Sequence, residues 1–454
     1  MKLRIIFITL LTSILLSIPV SAAEADSVRV AVIDTGISET AIAKTNLSSG
    51  QNYILPHQST VDTIGHGTAI ASIIVGSKKA GIEGICPEAV LVPLVYYVKD
   101  ESGDTIKGDT ALLAKIIRDA VEVYNCDIIN ISSGVLTDTP ALRDTVAWAQ
   151  KQGVLIISSA GNDGNDTIYY PGAYEGVLCV GASNEANSAP ADFSNHHKAV
   201  DLLAPGEKLS TATMKGNRLL ASGSSFSAAY ISGVAAKLMT EYGLTATEIW
   251  QILCASATDY GTSGYDKASG WGILNLEQAL DYAQQGRFFQ DVDSSKWYFN
   301  AVNKAAKLGL VEGTNRVLFS PNQLITRSTV WTMLYRLERL KSSKGSTSLY
   351  SDAKEWVVAN GISDGKKANS TVTREQMAAM MYRYAKVFGY DIGKQATLSK
   401  FTDANKISTY AKIAISWAYG NGLVSATGKL TLSPQGNITR AQAAVILTRF
   451  YDIF

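Results

Sequence analysis

The sequence predicts an α/β fold, a mostly parallel sheet with helices on both faces, followed by an all-helical region of three repeats. Three observations carry this. Short apolar runs rich in Val and Ile alternate with helical patterns through the first two thirds of the chain. Asp34, Ser132 and Asn162 stand just past the ends of such runs, where open parallel sheets gather functional groups. Past Gln285 the pattern changes to short helices that return three times to Thr-Arg.

A chain of 454 residues is long enough for two or three domains. Its composition, 46% hydrophobic and 18% charged, is that of an ordinary globular protein. A formal net charge of +1 offers no bulk attraction to nucleic acid or an anionic membrane, and neither is an expected partner. Residues 1–23 read as a secretory signal: Lys2 and Arg4, an apolar run from Ile5 to Val20, then Ser21-Ala22-Ala23 for cleavage. No later run is apolar and long enough to span a bilayer, so no transmembrane anchor is expected after cleavage. Cys86, Cys126, Cys179 and Cys254 lack metal-ligand spacing and have apolar or small neighbours. They read as small buried hydrophobes rather than as two disulfides.

Val28 to Ile33 is the first buried strand and ends in Asp34-Thr35-Gly36. Ala89–Tyr97, Cys126–Ile131, Val154–Ser158 and Gly176–Val180 repeat the pattern, with helices expected at Thr68–Val75, Ala111–Val123 and Leu142–Gln152. His66 lies between two glycines and runs straight into a helix, unlike His196-His197, which reads as a solvated loop. Asn162, in Ala160-Gly161-Asn162, follows a strand directly and can present a side-chain amide donor. Ser225 follows Gly223-Ser224 and opens an apolar, small-residue helix. There its hydroxyl is exposed and its N–H is free, because the first turn of a helix has unpaired donors.

Asp-Thr-Gly (34–36), Gly-His-Gly-Thr (65–68), Asn-Ile-Ser-Ser-Gly (130–134), Ala-Gly-Asn (160–162), Ala-Pro-Gly (204–206) and Gly-Ser-Ser (223–225) occur in that order. In motif order and spacing the chain resembles the subtilisin-like serine proteases. The resemblance implies Asp34, His66 and Ser225 as a catalytic triad, with Asn162 and the Ser225 N–H as the oxyanion hole. It also implies that Ser132, Ser133 and Gly134 pair with an extended protein or peptide substrate, with Ala160 and Gly161 beside them. Residues near Gly103–Gly108 would supply the opposing edge strand.

The chain departs from the family pattern at several points. Phe226 stands where Met is usual and can crowd the site. Ala229 replaces a Pro, and Ala69 a second His. Tyr169 falls at the expected base of the P1 pocket, which suggests smaller P1 residues. Only about five residues separate the expected cleavage site from the first strand, so the usual inhibitor-like propeptide is not expected. The loop from Val75 to Gly81 is short and carries Lys78 and Lys79, so no strong calcium site, and no other metal or cofactor, is expected. An inactive peptide binder on the same scaffold and a mainly structural envelope protein are the competing readings.

The protease-like domain is expected over 24–284, closing with Ser269-Gly270-Trp271-Gly272 and a helix from Leu276 to Gln284. Repeats follow at 285–340, 341–395 and 396–454, the middle one shortened, with Lys341–Thr347 as a linker. Their Thr326-Arg327, Thr373-Arg374 and Thr439-Arg440 fit a Thr N-cap with Arg opening a helix, a ready anion site. This region resembles S-layer homology domains. The resemblance implies attachment to an acidic, often pyruvylated, cell-wall polysaccharide through Arg327, Arg374 and Arg440, with Asp291 and Asp403 in the Phe-x-Asp openings. The middle repeat lacks that opening, and its groove around Arg374 is expected to be degenerate. Together these features predict a secreted serine endopeptidase held at the cell wall.

Overall fold

A computed structural model of the chain describes residues 27–342 and 350–454. The signal segment and most of the expected linker lie outside the described residues.

The first region is a seven-stranded, all-parallel sheet. In chain order its strands are β1 (Arg29–Asp34), β2 (Gln51–Asn52), β3 (Val90–Val95), then β6 (Ile128–Ile131), β7 (Leu155–Ser159), β8 (Leu178–Ser183) and β9 (Leu202–Pro205). Two antiparallel hairpins lie apart from it: β4 (Tyr97–Lys99) with β5 (Thr105–Lys107), and β10 (Leu209–Ala212) with β11 (Arg218–Ala221). The spatial order β2-β3-β1-β6-β7-β8-β9 puts β1 near the middle. Successive side chains point to opposite faces. Val30 and Val32 therefore enter one core and Ala31 and Ile33 the other. On the second face lie α2 (Thr110–Glu122) and α3 (Pro140–Lys151). On the first lie α1 (His66–Ile74), α4 (Ser224–Tyr242), α5 (Ala246–Ser256) and α6 (Leu276–Gln285).

Small residues let the functional elements meet. A Cβ on Gly67 would fall 2.2 Å from the Gly36 carbonyl oxygen, so only glycine lets the start of α1 abut the loop after β1. The buried small residues of α4, from Ala228 to Ala236, allow that helix to pack closely along β6 to β9. The result sets the ends of β1, β6 and β7 beside the first turns of α1 and α4.

The second region alternates short and long helices, α7 (Phe299–Lys307), α8 (Arg327–Lys341), α9 (Tyr350–Ala359), α10 (Arg374–Val387), α11 (Lys412–Gly420) and α12 (Arg440–Ile453), and each long helix packs on a short helix of the next repeat: α8 on α9, α10 on α11 and α12 on α7. The Thr at each long helix's N-cap accepts a backbone N–H from its first turn, and Thr373 and Thr439 complete capping boxes with Gln376 and Gln442. The residues before the caps close a ring. Ile325 N–H donates to Ile438 O (3.1 Å), Ile438 N–H to Val372 O (2.9 Å) and Val372 N–H to Ile325 O (3.1 Å). A repeat alone would leave its hydrophobic face uncovered; the ring buries all three.

The two regions share one core. Trp250 of α5, Tyr282 of α6, Phe288 and Phe289 belong to the same buried cluster. The Arg316 guanidinium lies 4.1 Å from the Trp250 ring centroid. Gln251 Nε2 donates to Phe288 O at 2.9 Å. All four cysteines are buried and unpaired.

Candidate active site

The end of β1 delivers Asp34, which is 2% exposed. Its two carboxylate oxygens lie 2.8 and 2.9 Å from His66 Nδ1 at the start of α1. A second carboxylate, Asp62, holds this arrangement. It accepts from Thr35 Oγ1 (2.8 Å), Ile64 N (2.9 Å), Gly65 N (2.7 Å), Thr68 N (2.9 Å) and Thr68 Oγ1 (2.6 Å). One buried side chain thus ties the β1 loop to the first turn of α1. The sequence reading passed over Asp62; its signal was an Asp four residues before the His. Burial of the His66 ring works to lower its pKa. The charge and hydrogen bond of Asp34, with the charge of Asp62, outweigh it and leave the imidazole above its ordinary value.

Ser225 lies in the first turn of α4 as expected, but it is buried (8% exposed) rather than open to solvent; its N–H has no intramolecular acceptor among the described residues. Its hydroxyl does not bond to His66. It donates to Ser132 O at 3.0 Å, while Ser132 Oγ donates to Ser225 O at 3.2 Å. Behind this exchange Asn130 Nδ2 donates to Ser132 Oγ (2.8 Å), and Ser232 of α4 donates to Asn130 Oδ1 (3.0 Å). Phe226 does press on the site, its ring centroid 5.5 Å from that of His66.

Asn162 lies at the end of β7 with its carboxamide oriented. Oδ1 accepts the Ser224 N–H at 2.8 Å, and Asn162 lines the same cavity as Ser225. Ser224 Oγ also donates to Gly161 O at 3.1 Å. Asn195, fully buried, brackets Asn162 from the other side. Its N–H donates to Gly161 O (3.1 Å), its Oδ1 accepts from Asp163 N (2.7 Å), and its Nδ2 reaches Thr167 O (3.0 Å). Nothing in the local sequence marks Asn195, because its partners are some thirty residues away. The neighbouring histidine corrects an expectation. His197 is buried rather than solvated, with Nε2 3.4 Å from Ala160 O.

A cavity of about 240 Å³ lies beside Ser225, lined by Ser132, Ser133, Gly134, Gly161, Asp163 and Tyr169 among others. Ala160, expected in this wall, sits below it at 1% exposure and bonds within the sheet. Tyr169 occupies one wall. A Cβ on Gly134 would lie 2.6 Å from Tyr169 Cβ, so the aromatic ring and the glycine backbone are in direct contact. A hydrogen bond to Asp163 raises the Tyr169 pKa. Residues 97–107, where the opposing edge was expected, fold as the β4–β5 hairpin, and Lys107 Nζ donates to Gly134 O (2.6 Å).

In the helical ring each Thr-Arg arginine holds the next repeat's loop. Arg327 Nε donates to Lys366 O (2.9 Å), Arg374 Nε to Leu432 O (2.8 Å) and Arg440 Nε to Phe319 O (2.7 Å). Asp291 accepts the N–H groups of Phe319 and Ser320, and Asp403 those of Leu432 and Ser433. These two carboxylates line none of the grooves between repeats, against expectation; they fasten loops. A cavity of about 410 Å³ borders Arg374. Among the described residues no group of three or more His, Cys, Asp or Glu side chains is arranged to hold a metal ion.

Residues 25–272 match the subtilase family, and residues 288–330 and 400–444 match the S-layer homology domain. Over 291 residues the chain is 32% identical to the minor extracellular protease Epr of Bacillus subtilis, covering 62% of this chain and 43% of that protein. It is 36% identical over 222 residues to the major intracellular serine protease of the same organism, covering 46% and 67%. The chain thus spans less than half of the length of the first of these relatives. Among solved structures it superposes on a serine-to-alanine mutant of the protease domain of PatA with a TM-score of 0.51 at 29% identity, covering 57% of this chain and 96% of that one. The Asp-His pair at strand and helix ends, the serine at the mouth of a buried helix and the match over more than half of the sequence converge: this chain belongs to the subtilase family and carries S-layer homology domains.

Proposed function

We propose that the protein is a secreted, wall-attached serine endopeptidase that cleaves proteins or peptides through an acyl-enzyme. The observation that carries this is the Asp34–His66 pair facing a helix whose first turn offers both the Ser225 hydroxyl and a free N–H. In this reading His66 takes the Ser225 proton and later returns it to the leaving amine, while Asp34 fixes the tautomer and stabilises the imidazolium. The Asn162 amide and the Ser225 N–H receive the oxyanion. The chemistry uses only the chain's own groups, with no calcium or other cofactor.

The resting bond from Ser225 Oγ to Ser132 O fits this scheme. An extended peptide pairing along 132–134 competes for that carbonyl through its own backbone N–H. Losing one such bond costs about 1 kcal/mol, and rotation about χ1 then turns the hydroxyl toward His66. The same bond, with Phe226 against His66, is what favours the second reading, an inactive peptide binder. A fluorophosphonate probe separates the two: it should label the parent and not Ser225→Ala, and cleavage of an unfolded protein should follow the same pattern. A folded parent that neither labels nor cleaves would favour the binder.

The helical ring is the wall anchor in this proposal, its ligand an acidic polysaccharide. The three inter-repeat grooves, each with two arginines, support it. Pull-down on purified wall polysaccharide, with and without its acidic substituents removed, tests it.

A further inference from the structure

The edge that an extended peptide can pair with is short. Just past Gly134 the chain is already taken, because Val135 and Tyr170 exchange backbone bonds, at 2.8 Å and 2.9 Å. At its start, Ser132 O holds the Ser225 hydroxyl (3.0 Å). Antiparallel pairing repeats every second residue. A substrate whose P1 N–H takes Ser132 O therefore presents its P3 N–H to Gly134 O. That carbonyl is occupied by a side chain: Lys107 Nζ of β5 donates to it at 2.6 Å, from 27 residues away.

The ammonium has little else to hold. Its hairpin partner is Tyr97, whose ring centroid lies 5.4 Å from Nζ. Partial burial lowers the Lys107 pKa, and no carboxylate acts to raise it again. The cavity beside Ser225 carries the opposite charge, on Asp163, and Lys107 is not part of its lining. A positive group thus stands on the upstream edge and a negative one in the wall of the pocket beside the nucleophile.

We propose that Lys107 is a specificity-determining residue that selects substrates with an acidic side chain just upstream of P1, at P2, P3 or P4. A substrate backbone that pairs with Gly134 displaces the ammonium from the carbonyl. With a neutral peptide, Lys107 then loses its one hydrogen-bond acceptor among the described residues. A carboxylate on the incoming peptide replaces that acceptor with a charge-assisted bond. Asp163 works against an acid at P1 itself, since like charges brought together are penalised. Main-chain pairing accepts many sequences; the lysine adds a choice by charge. The proposal rests on the endopeptidase reading and names a substrate class for it.

The test uses the whole chain and peptides built on a sequence that the parent cuts in a digest of an unfolded protein. Glu or Gln is placed in turn at P2, P3 and P4. The best of the three Glu peptides should exceed its Gln twin in kcat/KM by about fivefold at low salt, the size of a partly exposed charge pair. Lys107→Met should bring that ratio to about one, because the charge is gone while the side-chain stem remains. Lys107→Glu should favour Lys over Gln at the same position. Lys107 lies on an exposed hairpin, and each ratio is internal to one variant, so a change in overall activity does not disturb the comparison. Equal Glu and Gln rates in the parent at all three positions, or a Glu preference that survives in Lys107→Met, would overturn this assignment and leave the endopeptidase reading standing. A folded parent that cuts no protein and takes no fluorophosphonate label would overturn both.

Discussion

At His66 two opposed effects meet, and the balance has a kinetic consequence. Burial disfavours the imidazolium, but the Asp34 carboxylate in contact and Asp62 behind it favour it more. A base must be neutral to accept a proton, so activity should fall as pH drops through the raised pKa. The acid limb of kcat/KM is expected to have its midpoint above the ordinary histidine value of about 6.5. A limb centred at or below that value would count against the Asp34 and Asp62 account. Asn162 gives the second prediction at this scale. Removing one oxyanion donor typically costs a factor of about 10²–10³ in kcat, and Asn162→Ala should fall in that range. Asn195→Ala, which frees the loop that carries Asn162, should lower kcat by up to about a hundredfold with KM nearly unchanged. Equal rises in KM would instead point to damage in the substrate cleft.

Gly206, in the Ala-Pro-Gly motif, has its reason in how elements pack. A Cβ there would meet Ser227 Oγ of α4 at 2.2 Å and Ala182 Cβ of β8 at 2.6 Å. The contact fixes how far α4 lies from the sheet, and so the height at which Ser225 emerges. Overpacking of this kind costs about 1–3 kcal/mol. Gly206→Ala should therefore lower the melting temperature and depress kcat, while Gly243→Ala or another change at an uncrowded helix end should leave kcat alone. An unchanged melt for Gly206→Ala would mean that α4 shifts freely.

Across the whole molecule the two regions meet around a half-buried acid. Asp201, at the start of β9, accepts the Cys179 N–H at 2.9 Å. Burial pushes its pKa up to about 7, only partly offset by that bond and by the Arg316 charge from the helical region. The sign follows from linkage. An unfolded aspartate titrates near about 3.9, so between that pH and about 7 the folded chain holds a proton that the unfolded chain has lost. Stability from this group is complete below the unfolded pKa and is lost as pH rises through the folded one. Asp201→Asn keeps an acceptor and cannot ionise. Its melting temperature should match the parent near pH 4 and exceed it at pH 8. The reverse order would mean that the Asp201–Arg316 attraction outweighs burial.

The sequence by itself determined the fold class, the alternation of strands and helices, and the order Asp34, His66, Asn162, Ser225. It could do so because each depends on local pattern: apolar periodicity, strand ends and a small-residue helix start. The three Thr-Arg caps were legible for the same reason, since capping involves residues three apart. Only the tertiary structure decided the rest. The resting partner of Ser225 is a carbonyl 93 residues away. Asn195 acts on a loop that sequence distance hides, and His197 is buried beside the carbonyl of Ala160, 37 residues away. Which groove keeps its positive charge depends on whether Glu312 and Asp364 fold back onto arginines of their own or adjoining repeats. Charge compensation falls steeply with distance in space, and distance in space is set by the closed ring.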